Sequence, residues 1–291
     1  SMSEDRDPEE MVQLLNRYLE KMSKIILKYD GIIDEIIGDA ILAVFGAPKS
    51  HGNDPERAIA CAIEMQNCLA ILNLEVLESG YPLLEMGVGI NTGKVIVGNI
   101  GSEVRMKYGI VGDAVNRASR IESNSIGGQV LVGKDTYDRV KPQIKVMPAQ
   151  HMMMKGMKKP LVFYSVLAIE TQDYAVALTP PLPSNARFAI KLPFQYWTIQ
   201  DKRVSSLPIL GETIAMDESN IYATTAQPID PYTDIKLNFD FCVEAHCFDD
   251  IYAKSTSTEM EQNTLCTKLS ITAMDEQDKA IIRKWMTEVS A

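Results

Sequence analysis

Along the first part of the chain, stretches with helical periodicity alternate with pairs of short β-rich runs, and this rhythm restricts the fold more than any other feature. Helices alternating with single strands would build a doubly wound parallel sheet. Helices alternating with hairpins build an α+β sandwich. The first helix is announced by Asp7-Pro8-Glu9-Glu10, with an acceptor side chain at the N-cap, proline at the first helical position and glutamate where a capping box needs it. Met11, Leu14, Leu15, Tyr18, Met22, Ile25, Ile26 and Tyr29 then recur at three- and four-residue intervals, an apolar stripe that needs a sheet to pack on. Ile32 to Ile37 and Ile41 to Phe45 read as two strands joined at Gly38-Asp39, which puts Asp39 at a hairpin tip.

A second cap, Asp54-Pro55-Glu56, opens a helix that carries Ile59, Ala62, Ile63, Leu69 and Leu72 inward. Met86 to Ile90 and Lys94 to Gly98 flank the turn-forming trio Asn91-Thr92-Gly93 and predict a second hairpin. Val104 to Val111 reads as a strand or an extended arm, followed by a helix from about Asp113 to Glu122. Further strands are expected at Gln129 to Val132 and Leu161 to Leu167, with a short helix near Asp135 to Val140. Thr179-Pro180-Pro181-Leu182-Pro183 then reads as a stiff linker. Beyond it, short apolar stretches broken by Pro, Gly, Asn and Asp, and a last helix with Ile281, Ile282, Trp285, Met286 and Val289 on one face, describe a small β-barrel closed by a terminal helix. The expected division is a domain over 3–170, a linker over 171–184 and a second domain over 185–291.

A chain of 291 residues, 46% hydrophobic, can bury two cores. Its formal net charge of −10 disfavours non-specific binding to nucleic acid or to an anionic membrane, since neither polyanion releases counterions to an acidic surface. The five cysteines lack CxxC spacing, which points to core or surface thiols in a reducing, cytoplasmic setting.

Three segments carry the chemistry: Ile37-Gly38-Asp39-Ala40, then Gly89-Ile90-Asn91-Thr92-Gly93 on to Gly98-Asn99-Ile100-Gly101, then Gly112-Asp113-Ala114-Val115-Asn116-Arg117-Ala118-Ser119-Arg120. In this order, with Lys155-Gly156 downstream, they resemble the class III adenylate and guanylate cyclases across roughly residues 5 to 168. The resemblance implies a ferredoxin-like βαββαβ palm that works as a homodimer, with active sites built from both subunits. It implies two Mg2+ or Mn2+ ions, and attack of the ribose 3′-hydroxyl on the α-phosphate of a nucleoside triphosphate. By motif position, Asp39 would bind metal, Asn116 would fix the ribose, Arg120 would stabilise charge on the phosphoryl oxygens, and Lys155 would grip the terminal phosphates. Lys158 and Lys159 lie close enough in the chain to serve in place of Lys155.

In that family the position three before the Gly-Asp glycine helps to choose the purine, lysine for adenine and glutamate for guanine; here it is Glu35. A carboxylate accepts from the N1-H and exocyclic amine of guanine, whereas adenine presents an acceptor at N1. The partner position, three before Gly112, is Gly109, which adds no side chain. GTP is therefore the favoured substrate and ATP the alternative. The family also has a first strand that carries a second metal-binding aspartate. Nothing here matches it, because Asp5 precedes the helix and Asp7 is its cap. Low activity is expected of such a chain, or a silent cyclase fold used for dimerisation.

Residues from about Asn185 onward resemble, more faintly, a PilZ domain, whose usual ligand is cyclic di-GMP. The resemblance rests on Arg187-Phe188, Asp217-Glu218-Ser219 and the helix after Asp275. The arginine pair is reduced to Arg187 and Tyr222 stands in place of the signature glycine, so a barrel without that ligand is expected.

Overall fold

The computed structural model describes residues 8–78, 81, 83–104, 106–152, 160–179, 188–200, 203–217, 219–239, 242–243, 246–248, 250–261 and 264–289. Asp5, Asp7, Lys155, Gly156, Lys158, Lys159, Arg187 and Glu218 lie outside them. The chain forms two compact units, Ser1–Thr179 and Pro180–Ala291.

In the first unit, helix α1 (Pro8–Lys28) leads into the antiparallel hairpin β1 (Ile32–Ile37) and β2 (Ala40–Val44), and helix α2 (Asp54–Glu78) follows. Strand β3 (Val88–Ile90) is followed by a second hairpin, β4 (Ile96–Gly101) with β5 (Met106–Val111), and by helix α3 (Asp113–Glu122). Strand β6 (Val130–Gly133), helix α4 (Lys134–Val140) and strands β7 (Ile144–Val146), β8 (Gln150–Met152), β9 (Leu161–Glu170) and β10 (Ala175–Ala177) complete it. Strands β10, β9, β6 and β3 form one sheet in that order, with β7 and β8 also on β9.

The apolar stripes read from sequence become one core. Met22, Ile25 and Ile26 of α1 and Ile59, Ile63, Leu69 and Leu72 of α2 pack with Val130 and Val132 of β6 and Val166 and Ile169 of β9. Ile33, Ile41, Ala43 and Phe45 of the first hairpin join the same cluster, although β1 and β2 pair only with each other. Helix α2 is apolar and long enough to cross a bilayer by length and composition, yet Ile59, Ile63, Leu69, Leu72 and Val76 are spent on this core. Helix α3 packs on the opposite face of the sheet, against β3 and β6, because alternate strand residues point to opposite faces.

The expected hairpin of residues 86–90 with 94–98 does not form. β3 pairs in parallel with β6 (Val88↔Val130, Ile90↔Val132), and β4 pairs with β5 (Gly98↔Gly109). The trio between them reaches sideways rather than back: the Asn91 amide donates to the Ala114 carbonyl at 3.1 Å, and the Thr92 and Thr136 hydroxyls are 2.9 Å apart. Strand β10 sits on the edge of β9, within the stretch read as linker.

The second unit contains strands β11 (Phe188–Ala189), β12 (Pro193–Gln200), β13 (Arg203–Val204), β14 (Ile209–Met216), β15 (Asn220–Thr225) and β16 (Asp234–Phe239). A small hairpin of β17 (Cys242–Val243) and β18 (His246–Cys247) precedes the long strands β19 (Ile251–Glu261) and β20 (Thr264–Ala273). Neighbours run β14-β15-β20-β19-β16-β12, and pairing of β12 back onto β14 closes a six-stranded barrel. Phe194, Tyr196, Ile221, Leu237 and Leu269 fill it, and helix α5 (Glu276–Val289) adds Ile282 and Trp285 to that core. Asp217 is fully buried and committed to its own turn. It accepts from the Ser219 amide at 2.9 Å, the Asn220 amide at 2.8 Å and the Asn220 side chain at 2.9 Å.

Candidate active site

Gly38 and Asp39 form the two-residue turn between β1 and β2, with Ile37 opposite Ala40. Gly38 takes φ 65°, a conformation that costs glycine little and other residues more. The Asp39 carboxylate is exposed and makes no ion pair among the described residues. Its charge is felt by Tyr18 of α1, whose hydroxyl donates to the Met86 sulfur at 3.3 Å. Burial, and then the Asp39 charge, push that phenol up to about 12, so Tyr18 stays neutral.

Strand β1 carries a bulge. Ile33 faces Ala43 and Glu35 faces Leu42, which leaves Asp34 as the extra residue. A bulge lets adjacent side chains lean to one side, and here both acids reach Lys107 of β5. The ammonium is 3.1 Å from the Glu35 carboxylate and 3.8 Å from that of Asp34. Gly109, two residues further along β5 and buried, completes the group: a Cβ placed there would come within 3.1 Å of the Asp34 carboxylate. Gly109 thus lies against Asp34, and Glu35 reaches Lys107, two residues before Gly109 on the same strand. Asp34 and Lys107 were not singled out from the sequence.

Helix α3 presents Asn116 and Arg120 one turn apart, both exposed, with no side-chain hydrogen bond or ion pair to another described residue. Their placement is set from beneath. At Gly89 an added Cβ would stand 2.3 Å from the Glu122 amide nitrogen and 2.7 Å from the Ala118 carbonyl, so only glycine lets the helix lie this close to β3. Arg117, between them in sequence, is occupied elsewhere: its guanidinium lies 2.7 Å from Asp113 and 3.7 Å from Asp135. Ser123 and Asn124 close the helix by donating to the Arg120 carbonyl at 3.0 and 2.6 Å.

Among the described residues no three His, Cys, Asp or Glu side chains cluster as a metal cage. Magnesium is usually held by one or two carboxylates together with substrate phosphates, so a lone uncommitted carboxylate at a rigid tip fits that partial role. Among the described residues, no hydrogen bond or ion pair joins Asn116 or Arg120 to Asp39 or Glu35 within the chain.

The model of the adenylate and guanylate cyclase catalytic domain matches residues 1–168. The chain belongs to that family. It is 44% identical to the guanylyl cyclase Cya2, over 61% of this chain and 90% of that one, with a TM-score of 0.58. Against the adenylyl cyclase CyaB from P. aeruginosa it is 36% identical, over 60% of this chain and 89% of that one, with a TM-score of 0.56. Adenylate cyclase 1 of Rhizobium meliloti is 32% identical over 171 residues, 58% of this chain and 26% of that protein. The chain spans about a quarter of the length of that relative and of the Anabaena cylindrica adenylate cyclase. The family model's match lies within the first unit, and relatives named as guanylyl and as adenylyl cyclases share the likeness.

Proposed function

We propose that this protein converts GTP to the 3′,5′-cyclic nucleotide and pyrophosphate at sites shared between two protomers. The observation that carries the choice of base is Glu35 at the base-selecting position, its carboxylate 3.1 Å from Lys107 on the strand that also carries the side-chain-free Gly109. The carboxylate takes the N1-H and amine of guanine, and would face an acceptor in adenine. The 44% identity to a guanylyl cyclase supports the same reading.

In the reaction a bond forms between the ribose 3′-oxygen and the α-phosphorus while the bond from that phosphorus to the bridging oxygen of pyrophosphate breaks, and the hydroxyl proton passes to water. Asn116 holds the ribose so that the hydroxyl stands in line, which removes orientational entropy from the step. One turn on, Arg120 donates to the α-phosphoryl oxygens as charge builds there, an interaction stronger in the transition state than in the ground state. Lys155, outside the described residues, is assigned to the terminal phosphates. Magnesium or manganese, bound by Asp39 and the phosphates, would supply positive charge beside them.

No residue of this sequence is assigned as a second metal carboxylate, and the C-terminal barrel, PilZ-like without its usual ligand, is assigned to regulation. The test is turnover of GTP and ATP with manganese by a chain extended at its N-terminus. GTP preferred over ATP is the expected result, with the preference moving toward ATP in Glu35→Lys. No cyclisation of either nucleotide by a folded dimer would instead make this a silent cyclase fold.

A further inference from the structure

The reaction described above uses none of the five cysteines. Cys61 and Cys68 lie on α2, and Cys61 is spent on the core: it is buried beside the Met65 sulfur, and burial pushes its thiol up to about 12. A thiol held that far from its thiolate is inert. Cys266 lies on β20, opposite Thr224 and Glu259. The remaining two are placed differently. Cys242 and Cys247 stand opposite one another in the hairpin of β17 and β18, with Val243 opposite His246 as the other pair.

Opposed residues of an antiparallel pair hold their Cα atoms about 4.5 to 5.5 Å apart, and a disulfide accepts about 4.4 to 6.8 Å. The register therefore brings two cysteines to bonding range with no change of backbone. Strand alternation places Val243 and His246 on the other face of the hairpin. His246 is thus not a third donor beside the two cysteines, whereas a structural zinc site needs four. Only residues 243–246 lie between the cysteines, and a cross-link over so short a loop removes little entropy from the unfolded chain. Such a bond is a weak staple. In a reducing compartment, disulfides are transient and serve catalysis or redox sensing.

We infer that Cys242 and Cys247 are a reversible redox pair, which a low-molecular-weight disulfide such as glutathione disulfide converts to an intramolecular disulfide. One cysteine, as thiolate, attacks a sulfur of the oxidant, forms a mixed disulfide and expels the first thiol. The second cysteine attacks that mixed disulfide, expels the second thiol and closes the bond between Cys242 and Cys247. Two protons and two electrons pass from the protein to the oxidant, which leaves as two thiols. The consequence reaches the barrel core. Phe248 follows Cys247 directly, and its ring lies 5.7 Å from that of Phe239 and 5.6 Å from that of Trp285 on α5. Closing the hairpin fixes the strand end from which Phe248 enters this aromatic cluster, so α5 feels the redox state.

The experiment equilibrates the whole 291-residue chain at varied ratios of glutathione to glutathione disulfide, quenches with acid, alkylates the unfolded protein and digests it with trypsin. Peptide 237–254 holds both cysteines and no other. As the oxidant share rises, that peptide is expected to pass in one step from two alkyl groups to none, two hydrogens lighter than the dithiol, and to return with dithiothreitol. In Cys242→Ser it is expected to carry one glutathione instead. In Trp197→Phe, which leaves Trp285 as the one tryptophan, emission is expected to shift on oxidation. The titration of the unaltered chain decides the matter even where a variant does not fold. A peptide that stays doubly alkylated in excess glutathione disulfide, is alkylated only after a chelator, or is joined to a peptide of another cysteine would overturn the pair. One that stays oxidised at every ratio would be a permanent staple and would overturn the switch. Unchanged emission on full oxidation would overturn the link to α5.

Discussion

One carboxylate, Asp54, joins the end of one helix to the start of another. It accepts from Ser50, from the His51 amide at 3.1 Å and from the Arg57 guanidinium at 2.6 Å, while Arg57 also donates to the Tyr29 carbonyl at 2.8 Å, just past α1. Burial alone would raise the Asp54 carboxyl, but the hydrogen bonds from Ser50, Arg57 and His51 outweigh it and hold it below its usual value. A carboxyl depressed in the folded state contributes stability in full above its unfolded pKa and loses it as pH falls through the folded one. Asp54→Ala should cost about 3 kcal/mol at neutral pH, the low end for breaking a buried pair because Arg57 keeps its carbonyl partners. In urea unfolding the gap between variant and parent should shrink on acidification below about pH 4; a constant gap would contradict this role. The sequence marked Asp54 as a helix cap, but it is the first residue inside α2 and its carboxylate turns back to Ser50 and His51; nothing in the spacing said that Arg57 would be 2% exposed and turned toward α1. The same divide runs through the site. Glu35 could be placed by its motif, whereas its contact with Lys107, beside the bulge at Asp34, left no local signal in the sequence. For Arg120→Ala, turnover of GTP should fall about a hundredfold or more with a smaller change in KM; a loss confined to KM would mean that the guanidinium only binds substrate.

At the scale of elements, the site depends on how closely α3 lies on β3. Gly89→Ala would place a methyl 2.3 Å from the Glu122 amide nitrogen and 2.6 Å from its Cα, and backbone atoms cannot swing aside as a side chain can. The helix must shift, taking Asn116 and Arg120 with it. Expected losses are about 1–3 kcal/mol in urea unfolding and more than tenfold in turnover, since small misplacements of catalytic groups are costly. Gly98→Ala serves as the control, because nothing lies within 4 Å of its added Cβ, and it should leave stability nearly unchanged. Equal effects of the two changes would refute the packing argument. Periodicity found α1 and α2, and apolar runs about a tight turn the first hairpin, because each buries one face, and burial writes itself into spacing. It misjudged residues 86–98 for a physical reason. A turn-forming trio between two short apolar runs looks the same whether the second strand returns beside the first or, as here, leaves to pair with β5. Parallel partners such as β6 are distant in sequence and give no local signal.

On the scale of the whole molecule, the second hairpin is the least self-sufficient part of the first unit. Ile96, Met106, Tyr108 and Val111 on β4 and β5, and Val104 in their connection, are exposed at 71%, 59%, 62%, 42% and 96%. Ile36 and Ile37 at the tip of the first hairpin are exposed as well. Apolar surface of this kind is costly in water, and the dimer proposed above, with a two-fold axis through this region, would cover the same patch on both chains. In that dimer Asp39 of one protomer would face Asn116 and Arg120 of the other. Asp39→Ala and Arg120→Ala should each be nearly inactive alone. When the two are mixed, unfolded and refolded together, turnover should recover to about a quarter of the parent value, since half the dimers are mixed and each of those has one intact site. Adding Tyr108→Glu to both should remove the recovery and shift the protein toward monomer in sedimentation, because a charge would then be buried in the apolar contact. If the mixture stays inactive while sedimentation shows it dimeric, each protomer must build its site from its own residues, and the shared-site reading falls.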